Sequence, residues 1–161
     1  MSRAEVGEVY EASTTALEAA KGQRLSLRRA ISQLEEALTE PAGGRAADWA
    51  AHLVPVLDDL KMVFSVHVEV TEGAGGLYEE IMENAPRLAN KINRFTREHA
   101  SITHQLDQAM ASVRLIAGQD GIAADDLRDA LVRLFADLVR HRRRGVDLVY
   151  EAYHVDIGGE S

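Results

Sequence analysis

The chain has no cysteine, three prolines and an aromatic share of 5% in 161 residues. Without thiols there can be no disulfide, no thiolate metal ligand and no cysteine nucleophile, and the absence fits a reducing compartment. Few aromatics and scarce β-branched runs withhold the residues from which sheets are built. No apolar stretch approaches the roughly 20 residues that a bilayer span needs. The segment Met1 to Tyr10 is charged and lacks the apolar centre of a secretory leader. Excess positive charge is missing too. Eighteen Lys and Arg against 26 Asp and Glu leave −8, which argues against a nucleic-acid surface. The one basic run, Arg140 to Arg144, surrounds a histidine inside a helical pattern. A phosphate-cradling loop, a His-Glu-x-x-His pair and serine nucleophile motifs are all absent. The expectation is a cytoplasmic protein with neither nucleic acid nor membrane as partner.

What is present is helix-forming. Ala, Leu, Glu and Arg dominate, and 46% of residues are hydrophobic, enough for one domain over 1–161 to bury a core. Breaks fall at Pro41 with Gly43 and Gly44, at Gly73 to Gly76 followed by Pro86, and at Gly118 with Gly121. Between them apolar residues recur at alternating three- and four-residue steps, the mark of a helix with one buried seam. The first segment, Ala4 to Thr39, carries Val6, Tyr10, Leu17, Ala20, Arg24, Leu27, Ile31, Leu34 and Leu38 on its stripe. Gly22 leaves open a division of this segment into two helices. The second, Ala46 to Thr71, turns Trp49, Leu53, Leu57, Leu60, Phe64 and His67 inward, with Pro55 as a local bend. A short piece, Leu77 to Asn84, leads to a third helix beginning near Pro86, with Ile92, Phe95, His99, Ile102 and Leu106 on its seam. The fourth opens near Ala123 and carries Leu127, Leu131, Leu134, Leu138, His141, Gly145 and Leu148. Four such helices on short connections predict an all-α, up-down-up-down four-helix bundle, with a core over about 4–154 and a short C-terminal tail.

Three of the six histidines, His67, His99 and His141, fall on these seams, one to a helix. With antiparallel neighbours they come to one height. A single buried histidine is usually a hydrogen-bonded core residue, but three at one level point to a shared metal, since imidazole is the commonest metal ligand. Glu72, five positions after His67, and His104, five after His99, are the added candidate ligands. Glu69, Glu98 and Asp147 read more simply as solvated helix-face residues, and Glu151 joins Glu72 and His104 as a ligand only if the helices rotate to bring it inward. His52 lies several turns from the layer and reads as a surface or packing histidine, and His154, near the C-terminus, reads as exposed.

These segments resemble a known family. His67-Val-Glu-Val-Thr-Glu72 followed by Gly76-Leu-Tyr-Glu-Glu-Ile81 is similar to the helix-end histidine and acidic residues of hemerythrin-like, HHE cation-binding proteins. Glu98-His99-Ala-Ser-Ile102 resembles their third-helix motif, and Leu138-Val-Arg-His141 through Tyr153 their fourth. The resemblance covers residues 24 to 157 and implies a non-heme di-iron site among four helices, with an open position for oxygen or a related small molecule. Several ligand positions depart from the pattern. Arg24 stands where the first helix supplies a histidine, Thr71 where a glutamate follows His67, Thr103 where a second third-helix histidine falls, and Gly145 or Val146 at the fourth-helix carboxylate. Two irons need several anionic ligands. The resemblance therefore puts di-iron first and a mononuclear iron or zinc on three histidines and a carboxylate second. A decayed metal site in which Arg24 binds an anion comes last.

Three functions follow. The first is a metal-binding module for oxygen, nitric oxide or iron itself. The second is a non-heme iron oxidase, peroxidase or oxygenase, in which Tyr78, Tyr150 or Tyr153 moves protons unless, as is usual for such tyrosines, they cap the bundle end. The third is a metal-free interaction bundle. The partner expected is a small diatomic ligand or peroxide, and the assembly a monomer or homodimer.

Overall fold

The computed structural model describes residues 3–41, 45–118 and 124–155, with side chains from residue 16 onward. The side chains of Val6 and Tyr10, and Gly43, Gly44, Gly121 and the residues after Val155, fall outside what is described. Five helices account for nearly all of it: α1 (Arg3–Thr39), α2 (Ala46–Glu72), α3 (Leu77–Asn84), α4 (Ala89–Ala117) and α5 (Ala124–Tyr150). There are no strands among the described residues, and no helix there is long and apolar enough to cross a membrane. A 3-10 turn, Pro86–Leu88, leads into α4, with Pro86 spending its missing amide where no helical partner exists. A π-helical turn, Glu151–Val155, follows α5. α1 runs unbroken through Gly22, whose surroundings are open, so the segment is one helix.

Cross-helix hydrogen bonds fix the directions. Trp49 Nε1 donates to the Ala37 carbonyl, while Gln23 Nε2 donates to that of Val63, so α1 and α2 run antiparallel. Arg114 meets Asp58 and Lys61 meets Asp107, which sets α4 against α2. Gln105 donates to Asp137, and Lys91 reaches Glu151, which sets α5 against α4. Arg128 closes the ring by donating to the carbonyls of Leu38 and Glu40. The long helices therefore alternate up and down, as their short connections require.

The seams form two apolar clusters. The larger joins Leu27, Leu34, Leu53, Leu57, Leu60, Leu106, Leu131, Leu134 and Leu138, all at 1% exposure or less. Full burial of such side chains contributes about 1.5–3 kcal/mol each. The smaller packs α3 against the opposite end, through Leu77, Tyr78, Ile81, Leu88, Ile92, Phe95 and Leu148. Between the clusters lies a polar layer.

Candidate metal centre

The antiparallel register brings the last turns of α2, the first half of α4 and the second half of α5 to one height. On each seam the residue at that height is a histidine. His67, His99 and His141 are 9%, 1% and 2% exposed. Their ligand atoms gather: His99 Nε2 lies 2.9 Å from His141 Nε2, and His67 Nε2 lies 3.3 Å from the same atom. Phe64 packs on all three rings from the larger cluster, and Phe95 packs on His141 from the smaller. The imidazoles are thus held in apolar walls that admit few rotamers.

Two carboxylates set the orientation. His99 Nδ1 donates to Glu72 Oε2 at 2.9 Å, and His141 Nδ1 donates to Glu98 Oε2 at 2.7 Å. Arg144 holds the other oxygen of Glu98 at 2.6 Å. With the proton kept on Nδ1, each ring turns its Nε2 lone pair inward, the arrangement by which carboxylates orient metal-binding histidines. Charge state agrees with geometry. Burial, with repulsion from His141 and Arg24, pushes His67 down to about 3. Burial, with repulsion from His141 and His67, pushes His99 down to about 2. Burial also lowers His141, against an upward pull from Glu98. Near neutral pH the Nε2 atoms of His99 and His141, left unprotonated by their carboxylates, turn their lone pairs toward each other at 2.9 Å, with His67 Nε2 beside them. Such facing acceptors repel unless a cation lies between them.

The remaining expected residues divide. Glu72 reaches the layer, but at His99 Nδ1 and not on the Nε2 side. It can do so because α2 ends there, freeing the side chain toward α4. His104 is exposed and is not part of the cluster. Five residues rotate it about 140° from His99, and it sits in mid-helix, where nothing turns it back. Thr71 is buried and spends its hydroxyl on the His67 carbonyl at 2.8 Å, while Thr103 is half-buried. His52 and His154 are exposed, as expected, and so are Glu69 and Asp147. Glu151 pairs with Lys91 and Arg87 instead of turning inward.

Two further residues belong to the layer from positions that read as helix face and bundle cap. Glu98 reads in sequence as a solvated face residue, yet it orients His141. Its position one before a seam histidine, opposite the helix carrying another, was the available signal. Tyr78 stacks on His99 at 5.7 Å between centroids and 15° between planes, with its hydroxyl 3.3 Å from His99 Nε2. Burial holds that phenol well above its ordinary range. Tyr153 instead donates to Glu80 at 2.8 Å, and Tyr150 is exposed. Beside the histidines lies a cavity of about 30 Å³, lined by Arg24, His67, Thr71, Tyr78, His141 and Arg142 among others. That is room for a molecule of a few atoms.

A family model for the hemerythrin HHE cation binding domain matches residues 15–151. No curated protein and no solved structure matches the chain.

Proposed function

The chain belongs to the hemerythrin HHE cation binding domain family, and from that membership and the histidine layer we propose that it binds a single iron ion on the Nε2 atoms of His67, His99 and His141. The observation that carries this reading is the convergence of those nitrogens while carboxylates occupy the Nδ1 atoms of His99 and His141. Bonds of about 2.1 Å from one metal to two imidazoles put the nitrogens roughly 3.0–3.4 Å apart. The two spacings to His141 Nε2, 2.9 and 3.3 Å, fall near that range, and the three ligand atoms lie within 4.8 Å of one another. A second iron is less well supplied. The three histidines are the one converging donor group among the described residues, and Glu72 and Glu98 already serve their imidazoles. A family member with Arg24, Thr71 and Gly145 at ligand positions is better read as a one-metal variant.

Iron so held supplies an open coordination position for a small ligand such as oxygen, nitric oxide or peroxide. This chain's residues fix the tautomers of His99 and His141 through Glu72 and Glu98, wall the rings with Phe64 and Phe95, and leave a small cavity lined by His67 and His141. Those are the attributes of a binding or sensing module. The test is metal analysis with optical spectroscopy on protein produced with iron supplied. One iron per chain, without oxo-bridge absorption, is expected. Two irons with that absorption would restore the di-iron site, and a folded protein that ignores both Fe(II) and Zn(II) would overturn metal binding altogether.

One observation favours a second reading, an oxidase or peroxidase. Tyr78 places a buried phenol at the same nitrogen layer and on the cavity wall, where it can donate a hydrogen bond to a bound peroxide. Turnover of hydrogen peroxide that Tyr78→Phe lowers at unchanged iron content would support it. Absence of turnover across pH and reductants leaves the binding module.

A further inference from the structure

Glu98 is held by both of its oxygens. Oε2 accepts from His141 Nδ1 at 2.7 Å, and Oε1 pairs with Arg144 Nη2 at 2.6 Å. His141 and Arg144 stand three residues apart on α5, on neighbouring turns of one face. A single carboxylate from α4 is therefore gripped by the imidazole and by a cation of the same helix together. Two contacts fix the plane of a carboxylate where one leaves it free to turn. The grip reaches from the surface inward: the side chains of Arg144, Glu98 and His141 are 43%, 21% and 2% exposed. Arg144 and Glu98 both line the groove between α4 and α5. Asp147 lines it too, three residues further along α5, yet the guanidinium lies on Glu98. The other imidazoles lack this arrangement. Glu72 accepts from His99 Nδ1 and otherwise meets the neutral Thr96 hydroxyl, with no cation on it among the described residues. His67 has no carboxylate on its ring among the described contacts.

We propose that Arg144 is a positioning residue for the metal layer: its guanidinium pins Glu98 against His141 and so keeps that imidazole in the tautomer that turns the Nε2 lone pair inward. The inference rests on the single-metal site proposed above and names the side chain that prepares one of its ligands. Solvent already reaches Glu98. Without the pin its flexible side chain gains freedom by swinging outward, and His141 loses the acceptor that selects its Nδ1–H form. An imidazole that carries its proton on Nε2 cannot ligate through that atom. Arg144 touches no ligand atom itself. It acts through Glu98, so a residue on the surface of α5 governs the readiness of a buried ring.

The test reads the tautomers directly, from long-range proton–nitrogen spectra of the histidine rings in the metal-free full chain near neutral pH. In the wild type His99 and His141 should both show the Nδ1–H pattern. Arg144→Gln is expected to mix the Nε2–H form into His141 and to leave His99, whose carboxylate is Glu72, unchanged. Arg144→Lys should restore much of the wild-type pattern. Arg140→Gln, whose guanidinium meets Asp137 and not the layer, should alter neither ring. Zn(II), a redox-silent probe followed by competition with a chromophoric chelator, should bind Arg144→Gln about tenfold more weakly, the scale of a lost outer partner. A His141 ring that keeps its wild-type pattern in Arg144→Gln overturns the proposal. A change that spreads equally to His99 overturns it too, as the mark of a general loosening, and equal zinc affinity denies the clamp any bearing on the metal. A wild-type protein that shows both tautomers but takes up no metal overturns the metal reading instead, and the tautomers alone then decide the role of Arg144.

Discussion

His67, His99 and His141 are buried as free bases, with His67 near about 3 and His99 near about 2 against an ordinary 6.5. The sign of the pH dependence follows. Above about pH 6.5 the imidazoles are neutral folded and unfolded, and they contribute no slope. Below it the unfolded chain takes up protons that the folded chain refuses, so stability falls with pH until the folded groups themselves titrate near about 3. Each refused proton costs about 1.4 kcal/mol per pH unit, about 3 for His67 and His99 together, and His141, also lowered, adds in the same direction. Glu72 works the other way at lower pH, because burial raises its carboxyl. Denaturant unfolding of metal-free protein at pH 7, 6 and 5 should show this fall. His99→Leu should remove about one proton's share of the slope, and an unchanged slope would mean the imidazole is not buried neutral. The same variant separates function from stability. Facing lone pairs are a strain in the metal-free state, and Glu72, left without its partner, is partly solvated. Metal-free His99→Leu should therefore equal the wild type or exceed it by about 1 kcal/mol at pH 7, while binding no metal. A loss of several kcal/mol would show that the histidine layer holds the fold by itself.

At the scale of elements, one arginine ties three helices together beside the apolar core. Arg128 donates to the carbonyls of Leu38 and Glu40 and lies 4.5 Å above the Trp49 ring, so a single side chain caps α1, packs on α2 and anchors α5. Arg128→Ala removes two charge-assisted bonds to helix-end carbonyls and a cation–π contact, a loss of about 2–3 kcal/mol. The check is chemical denaturation, and a change under 0.5 kcal/mol would mark these as surface contacts with no net worth. Metal content should not change, since the layer lies roughly 20 Å further along α5. The elements also show why the sequence was readable to the depth it was. Leucines at three- and four-residue steps define the seams of α2, α4 and α5, and antiparallel packing converts those seams into heights, so His67, His99 and His141 meet as their positions predict. The first helix and the outer partners of the layer were less legible. Glu72 and His104 share the same five-residue offset from a seam histidine, yet one lies at a helix end and swings in while the other is fixed in mid-helix and faces solvent. Periodicity gives the angle of a residue on its own helix. It does not give the neighbour that a side chain from that angle can reach, and this is how Glu98 and Tyr78 join the site from positions that look like surface and cap.

For the molecule as a whole, the layer is a gap in an otherwise continuous core. Apolar clusters on either side bury their leucines and aromatics, while the middle holds three imidazoles whose polar partners are one another, two carboxylates and a phenol. Metal binding to the folded chain should then appear as global stability, because the unfolded chain scatters the three histidines over distant segments and cannot reproduce the site. At a free metal concentration 100 times the dissociation constant the gain is about 2.7 kcal/mol. For a chain of this size that amounts to a rise of roughly 5–10 °C in Tm. Anaerobic thermal scans with increasing Fe(II) should show Tm climbing with metal concentration and returning on addition of a chelator. His99→Leu should show no climb, even if its metal-free Tm is the higher of the two. Arg24→Gln should climb as the wild type does or slightly further, since removing a cation beside the metal eases its entry. A wild-type Tm indifferent to metal, in a protein that still binds it, would mean that the ion sits on the surface and that the buried nitrogens are not its ligands.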